Sequence, residues 1–262
     1  MKSLVIIGLL CFGMTPEIGA EEPVTLRVLS YNIHHGEGVD GKLDLKRIAD
    51  VILSVKPDLV ALQEVDQQTT RTDKVDQPKV LGELTGMHVR FEKNIDFEGG
   101  KYGNAILSRF PIRAHKNVHL PNIDNGEQRG VLIAEIEIPG WSAPLRFLST
   151  HFDYRRPDEE RIASARRINE LMEQSFSRNP AILAGDLNAT PESEPLKILL
   201  DKWSLPDDKV YPTIPVDKPT RQIDYVLFRP AKSWTVSQVK VLDEKIASDH
   251  RAILVVLKSQ AP

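Results

Sequence analysis

Asp186 and Asn188 stand two residues apart after the apolar run Ala181-Ile182-Leu183-Ala184-Gly185, an acid and an amide at the end of what reads as a buried strand, where side chains converge on a ligand. The design recurs. Leu26 to Asn32 ends in an amide, Leu59 to Glu64 in an acid and Arg146 to His151 in an imidazole, while Asp249-His250 precede another apolar run. Five polar termini on five strand-like segments read as one site. Their carboxylates, amides and imidazoles suit holding a hard cation and moving protons.

Such residues need many short strands to carry them. Hydrophobic runs predict strands over Val24 to Asn32, Leu59 to Val65, Val89 to Asn94, Asn104 to Ser108, Val131 to Ile138, Leu145 to His151, Ala181 to Asp186, Gln222 to Leu227, Thr235 to Val241 and Arg251 to Leu257. Helical spacing puts Leu45, Ile48, Ala49, Ile52 and Val55 on one stripe of Leu43 to Val55, which Pro57 ends. Pro157 is expected at the first turn of a second helix, followed by Asp158, Glu159 and Glu160, with Ile162, Ala165, Ile168, Leu171 and Met172 facing inward. Glu194 to Leu200 reads as a short third helix. So many adjacent strands without helices between them argue against a doubly wound parallel sheet. They predict two packed sheets with helices outside.

The chain has 262 residues, 41% hydrophobic and 27% charged, and neither a linker-like stretch nor a repeat divides it. A net charge of -3 disfavours a binder that holds polyanions through a generally basic surface. Lys2, the apolar stretch Leu4 to Met14 and Ile18-Gly19-Ala20 before Glu21 read as an export signal. Residues 1–20 are therefore expected to be removed, leaving a secreted or periplasmic domain over 21–262. The apolar stretch is shorter than the roughly 18 residues that a membrane span requires. Cys11, the sole cysteine, lies inside this segment, and the bulky Leu10 before it is a poor match to lipid-anchor processing. The mature chain then has no thiol, so any metal must be held by oxygen or imidazole.

Seven motifs, in order, resemble the endonuclease/exonuclease/phosphatase superfamily: Tyr31-Asn32, Leu62-Gln63-Glu64-Val65, Gly103 to Ser108, Thr150-His151-Phe152, Gly185-Asp186-Leu187-Asn188, Gln222-Ile223-Asp224-Tyr225 and Ser248-Asp249-His250. That group includes DNase I-like nucleases, sphingomyelinases and inositol-phosphate phosphatases. The resemblance implies an α/β fold, a four-layer α/β/β/α sandwich of two mostly antiparallel sheets flanked by helices, with a divalent-metal phosphoesterase site at one end. Tyr31 to Gly36 further resembles a bacterial group of exported metal-dependent hydrolases within the superfamily.

Hydrolysis of a phosphate ester needs a cation on the phosphoryl oxygens, a positioned water and a donor to the departing oxygen. Glu64 is expected as the metal ligand for Mg²⁺ or Mn²⁺, with Asn32 and Asp249 completing the cluster directly or through water. Asp186 would orient and deprotonate the water, and Asn188 would hold that water or a phosphate oxygen. Asp224 resembles the family carboxylate that pairs with His250 and fixes its tautomer. His151 would donate to a phosphate oxygen or leaving group. Asn104 and Arg129 are expected to bind the phosphate, Arg129 as a guanidinium clamp.

Three local features carry alternatives. His34 and His35, as neighbours in a strand, would point to opposite faces, so one ion could not use both; His34 is expected at the site rim and His35 in a structural role. Arg155, Arg156, Arg161, Arg166 and Arg167 read as a solvated helix face among acids, with Arg155 and Arg156 close enough to His151 to line the cleft. Phe97 to Tyr102 reads either as a mobile loop or as a plain hairpin turn. The substrate is a phosphate ester in a lipid head group, a sugar phosphate or a nucleic acid, acted on by a monomer without a stable protein partner. A secreted nuclease and a non-catalytic domain binding phosphorylated ligands are the competing readings.

Overall fold

A computed structural model describes residues 23–176 and 180–259. The expected export signal, with Cys11, lies outside the described residues. The described chain forms eleven strands and four α-helices in the order β1 (Thr25–Asn32), α1 (Leu45–Ser54), β2 (Leu59–Gln67), α2 (Gln77–Thr85), β3 (His88–Phe97), β4 (Gly100–Ser108), β5 (Ile112–His119), β6 (Gly130–Ile136), β7 (Leu145–His151), α3 (Glu159–Phe176), β8 (Ala181–Asp186), α4 (Glu194–Leu200), β9 (Asp224–Arg229), β10 (Trp234–Val241) and β11 (Ile253–Ser259).

The strands form a six-stranded sheet, β10-β11-β1-β2-β4-β3, and a five-stranded sheet, β5-β6-β7-β8-β9. Two pairs are parallel, β1 with β2 and β7 with β8. All other named pairs are antiparallel. Leu26, Val28, Leu59, Ala61 and Ile106 of the first sheet and Leu132, Phe147, Ile182, Ala184 and Val226 of the second share one apolar core. The outer face of the first sheet buries Leu29, Val60 and Leu62 against Ile48, Ala49 and Ile52 of α1 and Leu81 of α2. The outer face of the second buries Leu148, Leu183 and Leu227 against Ala165, Ile168 and Met172 of α3 and Leu196 of α4. Each fully buried Leu, Ile, Val, Phe or Met side chain among them contributes about 1.5–3 kcal/mol. The result is the expected four-layer sandwich.

Local details differ from the sequence expectation. The strand β5 and the helix α2 are additional. α3 begins at Glu159, not at Pro157, with the Ile162 amide bonded to the Asp158 carbonyl. β9 begins at Asp224, so Gln222 precedes it. Phe97 to Tyr102 is a hairpin turn in which Gly99 takes a φ of 72° and β3 pairs directly with β4.

The twofold alternation of a strand decides what reaches between the sheets. On β1 the residues facing the core are Leu26 and Val28, so Asn32 faces the same way; on β8 they are Ile182 and Ala184, then Asp186; on β9, Val226 and Phe228, with Asp224 before them. His151 follows Phe147 by four residues on β7 and sits in register with Asp186. The inter-sheet layer therefore passes from apolar to polar at one end.

Candidate active site

Asn32 joins the two sheets. Its Nδ2 donates to Glu64 Oε1 (3.0 Å) in one sheet and to Asp186 Oδ2 (3.2 Å) in the other, and its Oδ1 accepts the His34 amide (3.0 Å). Ser248 ties in the last segment, since its hydroxyl donates to the Asn32 carbonyl (2.8 Å) and accepts the His250 amide (3.1 Å).

Asp186, Asp224 and His250 bring ligand atoms within 4.8 Å of one another. Asp224 Oδ2 accepts from His250 Nδ1 (3.0 Å) and from Thr213 Oγ1 (2.5 Å). Asp186 Oδ1 accepts the Asn188 amide (2.9 Å), and Asp186 Oδ2 lies 3.5 Å from His151 Nε2 and 3.7 Å from His250 Nε2. Burial, and then the neighbouring Asp224, push the Asp186 carboxyl upward to about 7. Burial would lower His250, but Asp224 and Asp186 outweigh it and raise the imidazole to about 10. His250 is thus a cation between two carboxylates.

His151 is held in the opposite state. Burial, followed by the charges of Arg129 and His250, keeps it well below its ordinary value. Arg129 NH1 lies 3.2 Å from His151 Nδ1, and a guanidinium can only donate. Asn188 Nδ2, which likewise can only donate, lies 3.1 Å from Nε2, so the neutral ring, with one acceptor nitrogen, can accept from only one of the two. Asn188 Nδ2 also donates to the Phe152 carbonyl (3.0 Å).

Arg129 is 2% exposed and pairs with Glu127 (2.7 Å), whose carboxyl burial raises. Asn104, also buried, donates to the Gly130 carbonyl (3.0 Å). These two residues back the site behind His151 and β6 instead of presenting an open clamp. Asp249 is exposed beside His250, with its Oδ1 3.4 Å from Ser248 Oγ. Of the expected residues, Asn32, Glu64, His151, Asp186, Asn188, Asp224 and His250 are brought into one connected cluster. Thr213, which sequence reasoning missed, belongs with it; it sits in a loop and only the tertiary contact to Asp224 reveals it.

His34 and His35 do not lie in a strand. They form a short 3₁₀ turn with φ of 46° and 44°, and their rings touch at 4.5 Å between centroids. The His34 backbone orients Asn32, while the His35 carbonyl accepts from Gln77 Nε2 (2.6 Å). Arg161 is buried, and Arg155, one-third exposed, is held by acids. Arg155 pairs with Asp153 and Glu160, and Arg161 donates to the carbonyls of Asp153 (2.7 Å) and Arg155 (2.6 Å) and to Asp158.

The oxygens of Glu64, Asn32 and Asp249 are the hard donors that Mg²⁺ or Mn²⁺ prefers, and the Asn32 carbonyl oxygen keeps one lone pair beyond its bond to His34. Asp224 and His250 fit an ion less well, because the proton they share would have to leave first.

Residues 29–250 match the profile of the Endonuclease/Exonuclease/phosphatase family. An Escherichia coli K12 protein, uncharacterized protein YbhP, is 24% identical over 239 residues, covering 86% of this chain and 93% of its own length. A Caenorhabditis elegans 5'-tyrosyl-DNA phosphodiesterase is 29% identical over 175 residues, 63% of this chain and 43% of that protein. The solved structure of a mannosyl-6-phosphatase from Bacteroides thetaiotaomicron superposes with a TM-score of 0.74 at 20% identity, covering 88% of this chain and 99% of the other.

Proposed function

Because this chain belongs to the Endonuclease/Exonuclease/phosphatase family, a family of phosphoric ester hydrolases, we propose that it cleaves a phosphodiester with a divalent metal and a water activated by Asp186. The observation that carries this reading is the junction at Asn32, where carboxylates from both sheets meet next to two imidazoles in different protonation states. The names of the relatives support ester cleavage at phosphorus in both forms, one a phosphatase and one a phosphodiesterase.

Asp186 accepts the proton of the attacking water; a group poised near 7 suits that task at neutral pH. Asn188 and Asn32 keep its carboxylate turned toward the cleft. His250 supplies a charged N–H and His151 a neutral imidazole, both within 4 Å of Asp186, where phosphoryl oxygens and the leaving oxygen gain charge. Asp224 keeps His250 protonated, and burial with the Arg129 charge keeps His151 neutral. A Mg²⁺ or Mn²⁺ ion held by Glu64 with Asn32 and Asp249 would supply charge neutralisation at the phosphoryl group. The export signal read in residues 1–20 supports an activity outside the cytoplasm, and we propose a monomer without a stable partner.

The test is hydrolysis of bis(p-nitrophenyl) phosphate with EDTA and then with added Mg²⁺ or Mn²⁺. Activity should vanish with chelator and return with metal. Asp186→Asn should lower the rate about a hundredfold to ten-thousandfold while metal binding persists. Full activity in EDTA or in Asp186→Asn would overturn the mechanism, and its absence under every condition would favour a phospholigand-binding domain.

A further inference from the structure

A cleft of about 490 Å³ opens beside Asn188, lined by Tyr154, Arg156, Thr190, Arg221 and Ile223. Both of its walls are built. The Tyr154–Arg156 wall is latched from below by Arg161, a 4% exposed cation whose guanidinium holds the carbonyls of Asp153 and Arg155 and the carboxylate of Asp158. The Arg221 wall is pinned by reciprocal backbone bonds with Ile214 (2.9 and 3.2 Å). Thr213, one residue before, bonds Asp224 and receives the Arg251 amide.

On these fixed walls stand groups the proposed reaction does not use. Among the described residues, neither the Arg156 nor the Arg221 side chain takes part in a hydrogen bond or ion pair. Arginines that serve stability here are spoken for: Arg155, Arg161 and Arg251 all hold partners. Asp158, the acid nearest Arg156 in sequence, is neutralised by Arg161; Glu192 is the other acid of the cleft, which leaves cation in excess. Tyr154 is 69% exposed, although an aromatic ring normally buries much of its area. A free ring and two free guanidiniums facing a cleft fit a ligand with a cyclic body and an anion.

We propose that this cleft binds the organic part of the substrate, and that this part is a ring bearing a second phosphate or carboxylate, the ring against Tyr154 and the anion between Arg156 and Arg221. The inference rests on the phosphoesterase reading of the neighbouring site and names its substrate class, a phosphate ester carrying a second anionic group. A nucleotide and a sugar bisphosphate both have this chemistry.

The experiment compares matched pairs. One arm uses thymidine 5'-(p-nitrophenyl phosphate) with and without a 3'-phosphate; the other uses fructose 6-phosphate and fructose 1,6-bisphosphate, followed by phosphate release. The wild-type protein should prefer the doubly anionic member of at least one pair by about tenfold or more in KM, as one charge-assisted contact predicts. The arm in which the preference shows identifies the source. In Arg156→Ala/Arg221→Ala the ratio should collapse toward one, and Tyr154→Ala should raise KM for both members. A wild-type ratio near one in both arms, or a ratio unchanged in the double variant, overturns the inference while bis(p-nitrophenyl) phosphate hydrolysis leaves the catalytic reading intact. If no ester is hydrolysed, the catalytic reading fails, and calorimetric titration decides the cleft separately. Thymidine 3',5'-bisphosphate should then bind at least about tenfold more tightly than thymidine 5'-monophosphate, and the double variant should abolish the difference; equal binding overturns the inference.

Discussion

Asp224→Asn separates the charge of the buried network from its shape. Asp224 is fully buried and accepts from both His250 Nδ1 and Thr213 Oγ1. An asparagine oxygen can accept the same bonds, so the imidazole keeps its orientation. What disappears is the negative charge. Raising His250 from 6.5 to about 10 corresponds to about 5 kcal/mol in favour of the imidazolium, against the penalty of burial. Asp224 is the largest contributor to that rise, so without it burial returns the ring toward its neutral form at pH 8. Asp186 moves the same way, since Asp224 is, after burial, the main reason its carboxyl stands near 7.

The pH–rate profile of kcat/KM should therefore shift as a whole. In the wild type, activity should rise as Asp186 deprotonates near 7 and fall as His250 loses its proton near 10. In Asp224→Asn both limbs should lie at lower pH. At pH 8 the loss of a charged donor, worth about 1.5–3 kcal/mol, should lower kcat/KM roughly ten- to hundredfold. Part of the loss should return as pH falls toward 6. The assay is initial-rate hydrolysis of bis(p-nitrophenyl) phosphate from pH 5 to 10 at constant ionic strength and saturating Mg²⁺, quenched in alkali. Thr213→Val is the control, because it removes one donor to Asp224 but no charge; its rate should fall by about tenfold or less with the limbs unmoved. An Asp224→Asn profile with wild-type limbs and rate would refute the assignment of the His250 charge to Asp224.

Glu64→Gln should raise the Mg²⁺ concentration needed for half-maximal activity by about tenfold or more, read from a metal titration of rate; an unchanged requirement would move the ion elsewhere. Phe147→Ala, at a fully buried position between the sheets, should cost about 3–5 kcal/mol of stability in urea unfolding, and a cost below 1 would contradict the packing described for that layer. Because the folded His250 binds its proton more tightly than the unfolded chain does, its contribution to stability is full below about pH 6.5 and is lost as pH rises through about 10. Chelator-treated protein should thus melt at falling temperature from pH 7 to 10, and His250→Gln should flatten that trend; equal slopes would show that another group titrates.

Most of the fold was legible because the central strands are apolar runs cut off by a polar residue, as in Ala181 to Asp186 and Arg146 to His151. β5 was not, since its middle residues Arg113 to Lys116 are exposed and it lies at a sheet edge, where no buried face imposes a pattern. α2 was hidden for a related reason: it is nine residues long, has Pro78 in its first turn and buries few apolar side chains. Pro157 misled in the other direction, as a proline that precedes a helix by two residues looks like one that opens it. Within the site, residue identity announced Asp186, His151 and His250. Sequence could not announce that Arg129 is buried against an imidazole, because a guanidinium that grips phosphate and one packed in the interior have the same letter.

Glu64 shows where strand periodicity alone fails. On β2, Leu59 and Ala61 face the inter-sheet core while Val60 and Leu62 face α1, so simple alternation would turn residue 64 outward, toward the helix. The register of β2 against β4 slips between Leu62 and Val65, where one extra residue is accommodated as a bulge, and Glu64 takes a φ of 58°. That conformation costs of order 1–3 kcal/mol for a residue with a side chain. It returns the carboxylate to the side where Asn32 Nδ2 waits at 3.0 Å. The bulge is opposed by Gly103, at which a Cβ would lie 2.1 Å from the Glu92 carbonyl, so β3 and β4 close on one another where β2 bends. Asn188 is similarly held at a φ of 47° beyond Asp186. Two regular sheets would have delivered the amide of Asn32, the acids of β8 and β9 and the imidazole of β7 to one end by alternation alone, but not the carboxylate expected to hold the ion. The strained residues at this end are the departures from regularity that bring Glu64 and Asn188 into line with them.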